Sequence, residues 1–240
     1  SENHRVVYFV NAILAGELFP DQVMFNGKLG KDLRQEYIKY FVDWINYRYQ
    51  HGMLEYDSTY LGVDLCAMEL LYNYTTDSSL KKMAADFMDY LYADFVQDTI
   101  EDRLAGAHGR TYFNTDVLAK FFPLSQKFDL HGEKFNEVVG TYGVQPAIFA
   151  HTDFMPDDIV IKIARDESAY ANKERKTVYH LPDDPKVTQS LKKYTYRTAD
   201  YTMGSIVEYE NPFYGLELKG DKYQLSSGTW KEPTWVGGGH

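Results

Sequence analysis

A mainly α-helical protein is expected, built from antiparallel helical hairpins and followed by a short β-rich segment. Three observations predict it. Apolar residues recur at three- to four-residue spacing through the first hundred positions. Short polar or Gly/Pro links interrupt these runs, as between paired helices. After residue 190 the period changes to β-branched and aromatic alternation. With 240 residues, the chain is long enough for one large domain or a domain and a half. We expect a helical domain over 1–190 and a β-rich segment over 191–240, the start of a second domain or sheet. Hydrophobic residues at 44% and charged residues at 25% are the balance of a folded chain, so disorder is not expected.

Taken in order, residues 4–19 form a first helix on Val7, Val10, Ile13, Leu14 and Leu18, ended by Pro20-Asp21. Gly27 and Gly30 punctuate a loop. Residues 31–50 form a second helix through Leu33, Tyr37, Phe41, Trp44, Ile45 and Arg48, closed by His51-Gly52. Residues 59–74 give a third through Leu61, Leu65, Met68 and Leu71. Thr76-Asp77-Ser78-Ser79 caps a fourth over 79–103, carried by Leu80, Met83, Phe87, Leu91 and Phe95. Shorter helices are expected over 114–123 and 133–141, and another from Ile159 to Ala164, capped by Asp157-Asp158. Asn172–Lys176 is expected to be a solvated charge run, with the rim of an anion-binding cleft as the alternative. Strands are expected at Tyr194–Thr198 and Tyr201–Tyr209.

The formal net charge of −10 argues against a nucleic-acid partner, because binding phosphates needs a basic face. The single cysteine, Cys66, lies in an apolar helical run and is expected to be a buried small hydrophobe. No apolar run reaches the ~20 residues of a bilayer span. The N-terminus has no basic region or cleavage signature and reads as the inside of a domain, so a fragment of a longer chain is expected. Tyrosine is abundant, at 21 residues. Its ring can pack between helices with the hydroxyl wet, or stack on a sugar face.

Three segments can carry chemistry. In Asn3-His4, the amide can hold a carboxylate or hydroxyl, and the imidazole can take or give a proton; a helix cap is the structural alternative. In Glu55–Tyr60, Glu55 and Asp57 face the same way if the link is extended, with Tyr60 beside them. Two such carboxylates suit glycoside hydrolysis, or Asp57 caps the third helix. In Gly106–Tyr112, two glycines permit a tight turn, and Arg110 can grip a carboxylate and favour ionisation of Tyr112. His108 adds a titrating group there; a loop whose Arg110 pairs with a structural acid is the alternative. His151 and Asp153 lack a metal-ligand spacing, and no phosphate loop or nucleophile elbow is present.

The Ser-Glu-Asn-His start with Leu-Ala-Gly in its helix, the acid-and-aromatic link, and Gly109-Arg110-Thr111-Tyr112 after a long helix together resemble a known family. They are similar to bacterial α/α-toroid proteins of the alginate-lyase and heparinase II/III-like type, in particular to a broad group of such toroids. The resemblance spans roughly residues 1–112, and Lys192–Thr195 and Asp200–Ser205 are similar to that group as well. It implies an α/α toroid, incomplete over this length, and β-elimination of a uronate-containing polysaccharide. Asn3 and Arg110 would then neutralise the uronate carboxylate, with His4 as base or orienting group. Tyr112 would act as base or acid, assisted by His108. Glu55, Asp57 and Tyr60 would contact substrate. No cofactor is implied. The expected partner is a polysaccharide or oligosaccharide, and a polymeric substrate implies a secreted or periplasmic protein. A glycoside hydrolase using Glu55 and Asp57, and a non-catalytic glycan-binding protein, remain alternatives.

Overall fold

A computed structural model describes residues 2–53, 61–100, 103–104, 148, 151–179, 188–209, 214–219, 222–227 and 236–239. The described part is mainly helical, with a small antiparallel sheet.

Among the described residues, four long helices form the body: α1 (Glu2–Leu18), α2 (Gly30–His51), α3 (Leu61–Tyr74) and α4 (Ser78–Phe95). α1 buries Val6, Val10 and Ile13, one stripe at helical spacing, while Leu18 stays exposed. α2 buries Leu33, Phe41, Trp44 and Ile45. α4 buries Leu80, Ala84, Phe87, Met88, Leu91, Tyr92 and Phe95. α3 is buried nearly all round, Cys66 included, as a helix inside the body should be.

Local chemistry sets the ends. Gly52 follows α2 at φ 75°, in the left-handed region, and its N–H closes the helix on the Arg48 carbonyl. The Asp77 carboxylate accepts from the Ser79 and Leu80 N–H groups, so it caps α4. The backbones of α1 and α2 approach closely where Gly16 meets Gly30. A methyl on Gly16 would lie 2.8 Å from Arg34 Cβ and closer still to the Gly30 carbonyl.

The fourth helix is shorter than its apolar spacing predicts. It ends at Phe95 and passes through a 3-10 turn (Val96–Asp98) into β1 (Thr99–Ile100), which pairs with β2 (Arg103–Leu104). The β-branched pair Thr99-Ile100 favours extended backbone, and burial of both residues fixes it. The short helix α5 (Asp158–Ala164) follows, packing Val160 and Ala164 into the common core. Asp157 precedes it, but its side chain makes no capping bond; its N–H instead donates to Asp89 at 2.9 Å. The expected helices at 114–123 and 133–141 lie outside the described residues.

The sheet has the order β3-β4-β5-β8, with β3 (Tyr170–Tyr179), β4 (Thr188–Arg197), β5 (Tyr201–Tyr209) and β8 (Val236–Gly239) antiparallel. β6 (Tyr214–Lys219) and β7 (Lys222–Ser227) form a separate ribbon. The division expected at 190/191 falls inside β4. The charge run Asn172–Lys176 is part of β3, paired along its whole length with β4. Strand pairing with β4 gives this run an extended backbone that its charged composition does not by itself announce.

Along β4, burial alternates with period two: Lys193, Thr195 and Arg197 are buried, and Tyr194 is exposed. Opposite them in register, Thr202 and Gly204 of β5 are buried too. Over these residues the inward face of β4 is therefore polar and basic, where a half-buried strand normally carries apolar residues.

Candidate functional site

The helix directions collect polar groups at two ends of the body. Glu17 near the end of α1 accepts from the Thr75 hydroxyl (2.9 Å), the Thr76 N–H (2.6 Å) and the Thr76 hydroxyl, just past α3. Arg34, in the first turns of α2, reaches Glu17 at 3.4 Å and Asp77 at 3.1 Å. So α1 and α3 end, and α2 and α4 begin, at this rim. Ring contacts Tyr8–Tyr37 and Trp44–Phe87 show the helices running alongside one another away from it. The start of α1, the end of α2, the start of α3 and the end of α4 therefore share the opposite end.

That opposite end holds most of the buried polar residues described. Asn3 is in the first turn of α1, 1% exposed, with its Oδ1 accepting from the His4 N–H at 2.7 Å. Arg48, in the last turn of α2, donates to the Gly52 carbonyl at 3.2 Å and lies over the Trp44 and Tyr47 rings. Asp64 is buried in the first turn of α3. Asp98 follows α4 and is fully buried against Lys193, with which it forms an ion pair. Arg197 bonds three carbonyls there: Val96 at 2.7 Å, Ala164 at 3.3 Å and Asp166 at 2.8 Å. These are the orphan acceptors of helix and turn ends, which a cation suits.

Deeper along α3, Glu69 is fully buried. Burial, then the Glu69 charge, pushes the Tyr92 phenol well above its ordinary value. Tyr72 rises for the same first reason, with Asp153 and Glu69 adding to it. Phe154 packs on both rings, stacked on Tyr92 and edge-on to Tyr72. The two hydroxyls stay protonated at neutral pH, so they can donate hydrogen bonds but do not serve as bases. Burial pushes the Cys66 thiol up as well, aided by Glu69 and Asp64, so it is inert.

Of the residues singled out in the sequence, Asn3 and His4 are described. They sit side by side on α1, with Asn3 turned inward and His4 exposed. Glu55, Asp57, Tyr60, His108, Arg110 and Tyr112 lie outside the described residues. His151 and Asp153 are exposed, and no group of three or more metal-ligating side chains gathers among the described residues. Asp64, Glu69, Asp98, Lys193 and Arg197 escaped sequence reasoning. A signal was present for the first two, as acids in the otherwise apolar run Leu61–Leu71. None was present for Lys193 and Arg197, because Lys192 and Lys193 are adjacent and alternation alone does not say which faces in.

The fold and this polar end define a helical body of antiparallel hairpins with a small sheet docked through buried charge. Comparison with protein-family models finds no match, and neither do comparisons with curated proteins or with solved structures. No described helix is long and apolar enough to cross a membrane.

Proposed function

We propose that the chain is a carbohydrate-active protein on an α/α-toroid scaffold, a polysaccharide lyase that cleaves a uronate-containing glycan by β-elimination. One observation carries this reading. The elements flanking all three chemistry-bearing segments converge on one end of the body. α1 begins there with Asn3 and His4. α2 ends and α3 begins there, with Glu55–Tyr60 between them in sequence. α4 ends there and leads through β1 and β2 toward His108–Tyr112. The paired hairpins α1–α2 and α3–α4 are the unit such a toroid repeats.

The reaction needs three functions. Asn3 and Arg110 hold the uronate carboxylate and quench its charge, which acidifies the C5 proton. His4 or Tyr112 removes that proton, and the electron pair forms the C4–C5 double bond. The C4–O4 bond breaks as O4 takes a proton from Tyr112 or His108. Glu55, Asp57 and Tyr60 contact the flanking sugars. A polymeric substrate implies action outside the cytoplasm.

The test is ultraviolet absorbance of an unsaturated uronate after incubation with a panel of uronate polysaccharides. Expected is a signal that Tyr112→Phe and Arg110→Ala each abolish in folded protein. New reducing ends without absorbance, lost in Glu55→Gln and Asp57→Asn, would replace elimination by hydrolysis. Binding without turnover would leave a glycan-binding protein.

A further inference from the structure

Beneath the sheet, Thr195 on β4 and Thr202 on β5 are each 1% exposed. Both Oγ1 atoms are out of solvent, and neither makes a hydrogen bond among the described residues. The side chains around them are engaged. Lys193 pairs with Asp98, and Arg197 bonds the Val96, Ala164 and Asp166 carbonyls. The Thr99 hydroxyl donates to the Val96 carbonyl at 3.3 Å. Thr195 stands between Lys193 and Arg197 on its strand, and their partners Asp98 and Val96 belong to one turn. That turn therefore closes over Thr195. A buried hydroxyl is rarely left without a partner, because it gave up its bonds to solvent on folding.

We propose that Thr195, Thr202 and Gly204 form a buried water site, in which one ordered water bridges the two hydroxyls between sheet and helical body. The register brings the three together. Thr195 faces Gly204 and Arg197 faces Thr202, so the threonines are diagonal neighbours on one face. Diagonal positions lie about 7–8 Å apart, somewhat less between Cβ atoms. Two hydroxyls at that spacing are too far apart to bond each other. A water bonding each at about 2.8 Å spans the gap. Gly204 is buried beside both threonines, opposite one and two residues along β5 from the other. Having no side chain, it leaves that place to the water. Water suits the partners, because a threonine hydroxyl both donates and accepts, and a buried water serves two to four polar groups.

The experiment is a double-mutant cycle in urea unfolding of the whole chain. Thr195→Val and Thr202→Val keep the side-chain shape and remove one hydroxyl each. With the water bound, either change strips it of a partner and should lower the folding equilibrium constant about fivefold. The double change releases the water and should cost less than the two single changes added together. Hydroxyls with no water between them give the opposite sign: each valine then raises stability and the two effects add, which overturns the proposal. Water relaxation dispersion should count one long-lived internal water fewer in the double variant than in the native chain, and an equal count also overturns it. A crystal structure of the native chain reads the site without any substitution. Expected is a water within about 3.2 Å of both Oγ1 atoms. Hydroxyls bonded to protein carbonyls with nothing between them, or an ion in that place, overturn the proposal. No sugar enters these measurements, so their outcome and that of the elimination assay are separate.

Discussion

Among the described residues, one polar network lies at each end of the helices, and the two differ in how they are maintained. At the rim, Glu17, Arg34 and Asp77 remain partly in water, with side chains 17%, 24% and 33% exposed. Backbone N–H groups share the work there, through Thr76, Ser79 and Leu80. At the other end, Asp98 and Lys193 are out of water altogether. Desolvation has already been incurred for both ions, so neither can be left alone cheaply. The rim network should degrade in small steps, while the buried one is held as a unit.

The largest expected effect comes from breaking the buried unit. Asp98→Ala or Lys193→Ala should each cost about 3–5 kcal/mol in urea unfolding. The joint change Asp98→Leu with Lys193→Met should recover most of that loss or exceed the native stability. If the single changes cost as little as rim changes do, the contrast between the ends disappears. Gly16→Ala comes next, because its methyl displaces Arg34 and the Gly30 carbonyl together; about 1–3 kcal/mol is expected. Asp77→Ala removes the α4 cap and should cost about 1 kcal/mol by thermal or urea melts.

Acid should weaken the rim. Burial opposes ionisation of Glu17, but hydrogen bonds from Thr76 and Thr75 and the Arg34 charge outweigh it and hold the carboxyl below its ordinary value. The Leu80 N–H, ahead of the Arg34 contact, does the same for Asp77. Their folded values lie below the unfolded ones, near 4.5 and 3.8. The stability they add is therefore complete above that range and lost as pH falls through the folded values. Titrating stability from pH ~6 to ~3 should show a smaller acid loss in Glu17→Gln and Asp77→Asn than in the native chain. The smallest effect is a control: Lys82→Ala breaks an exposed i,i+4 pair with Asp86 and should change stability by no more than ~0.5 kcal/mol.

The helical body was legible because its apolar residues repeat with the helix period, and because Gly52 and Asp77 end and begin helices by local chemistry alone. The end of α4 was not. Val96 to Leu104 keeps enough apolar character to extend a helical pattern, and only its burial beside β5 and its pairing with Arg103-Leu104 make Thr99-Ile100 extended. The β3 strand was missed for a related reason. Asn172–Lys176 has no apolar alternation, and it takes its conformation from β4. Of the candidate site, the inward Asn3 was legible as a segment, but its burial was not. Arg48, Asp64 and Asp98 share one end of the body only through helix direction, which is a property of the assembled body and absent from any single run.

The polar underside of β4 also bears on modularity. Lys193 and Arg197 meet the body through an anion and through carbonyls belonging to two different helical ends. Exchanging this sheet for another of equal shape, by recombination or by design, would transplant the outline and lose the fit. Any foreign sheet joined here would have to supply cations at these two positions, so the helical body and its sheet should evolve as one inherited unit.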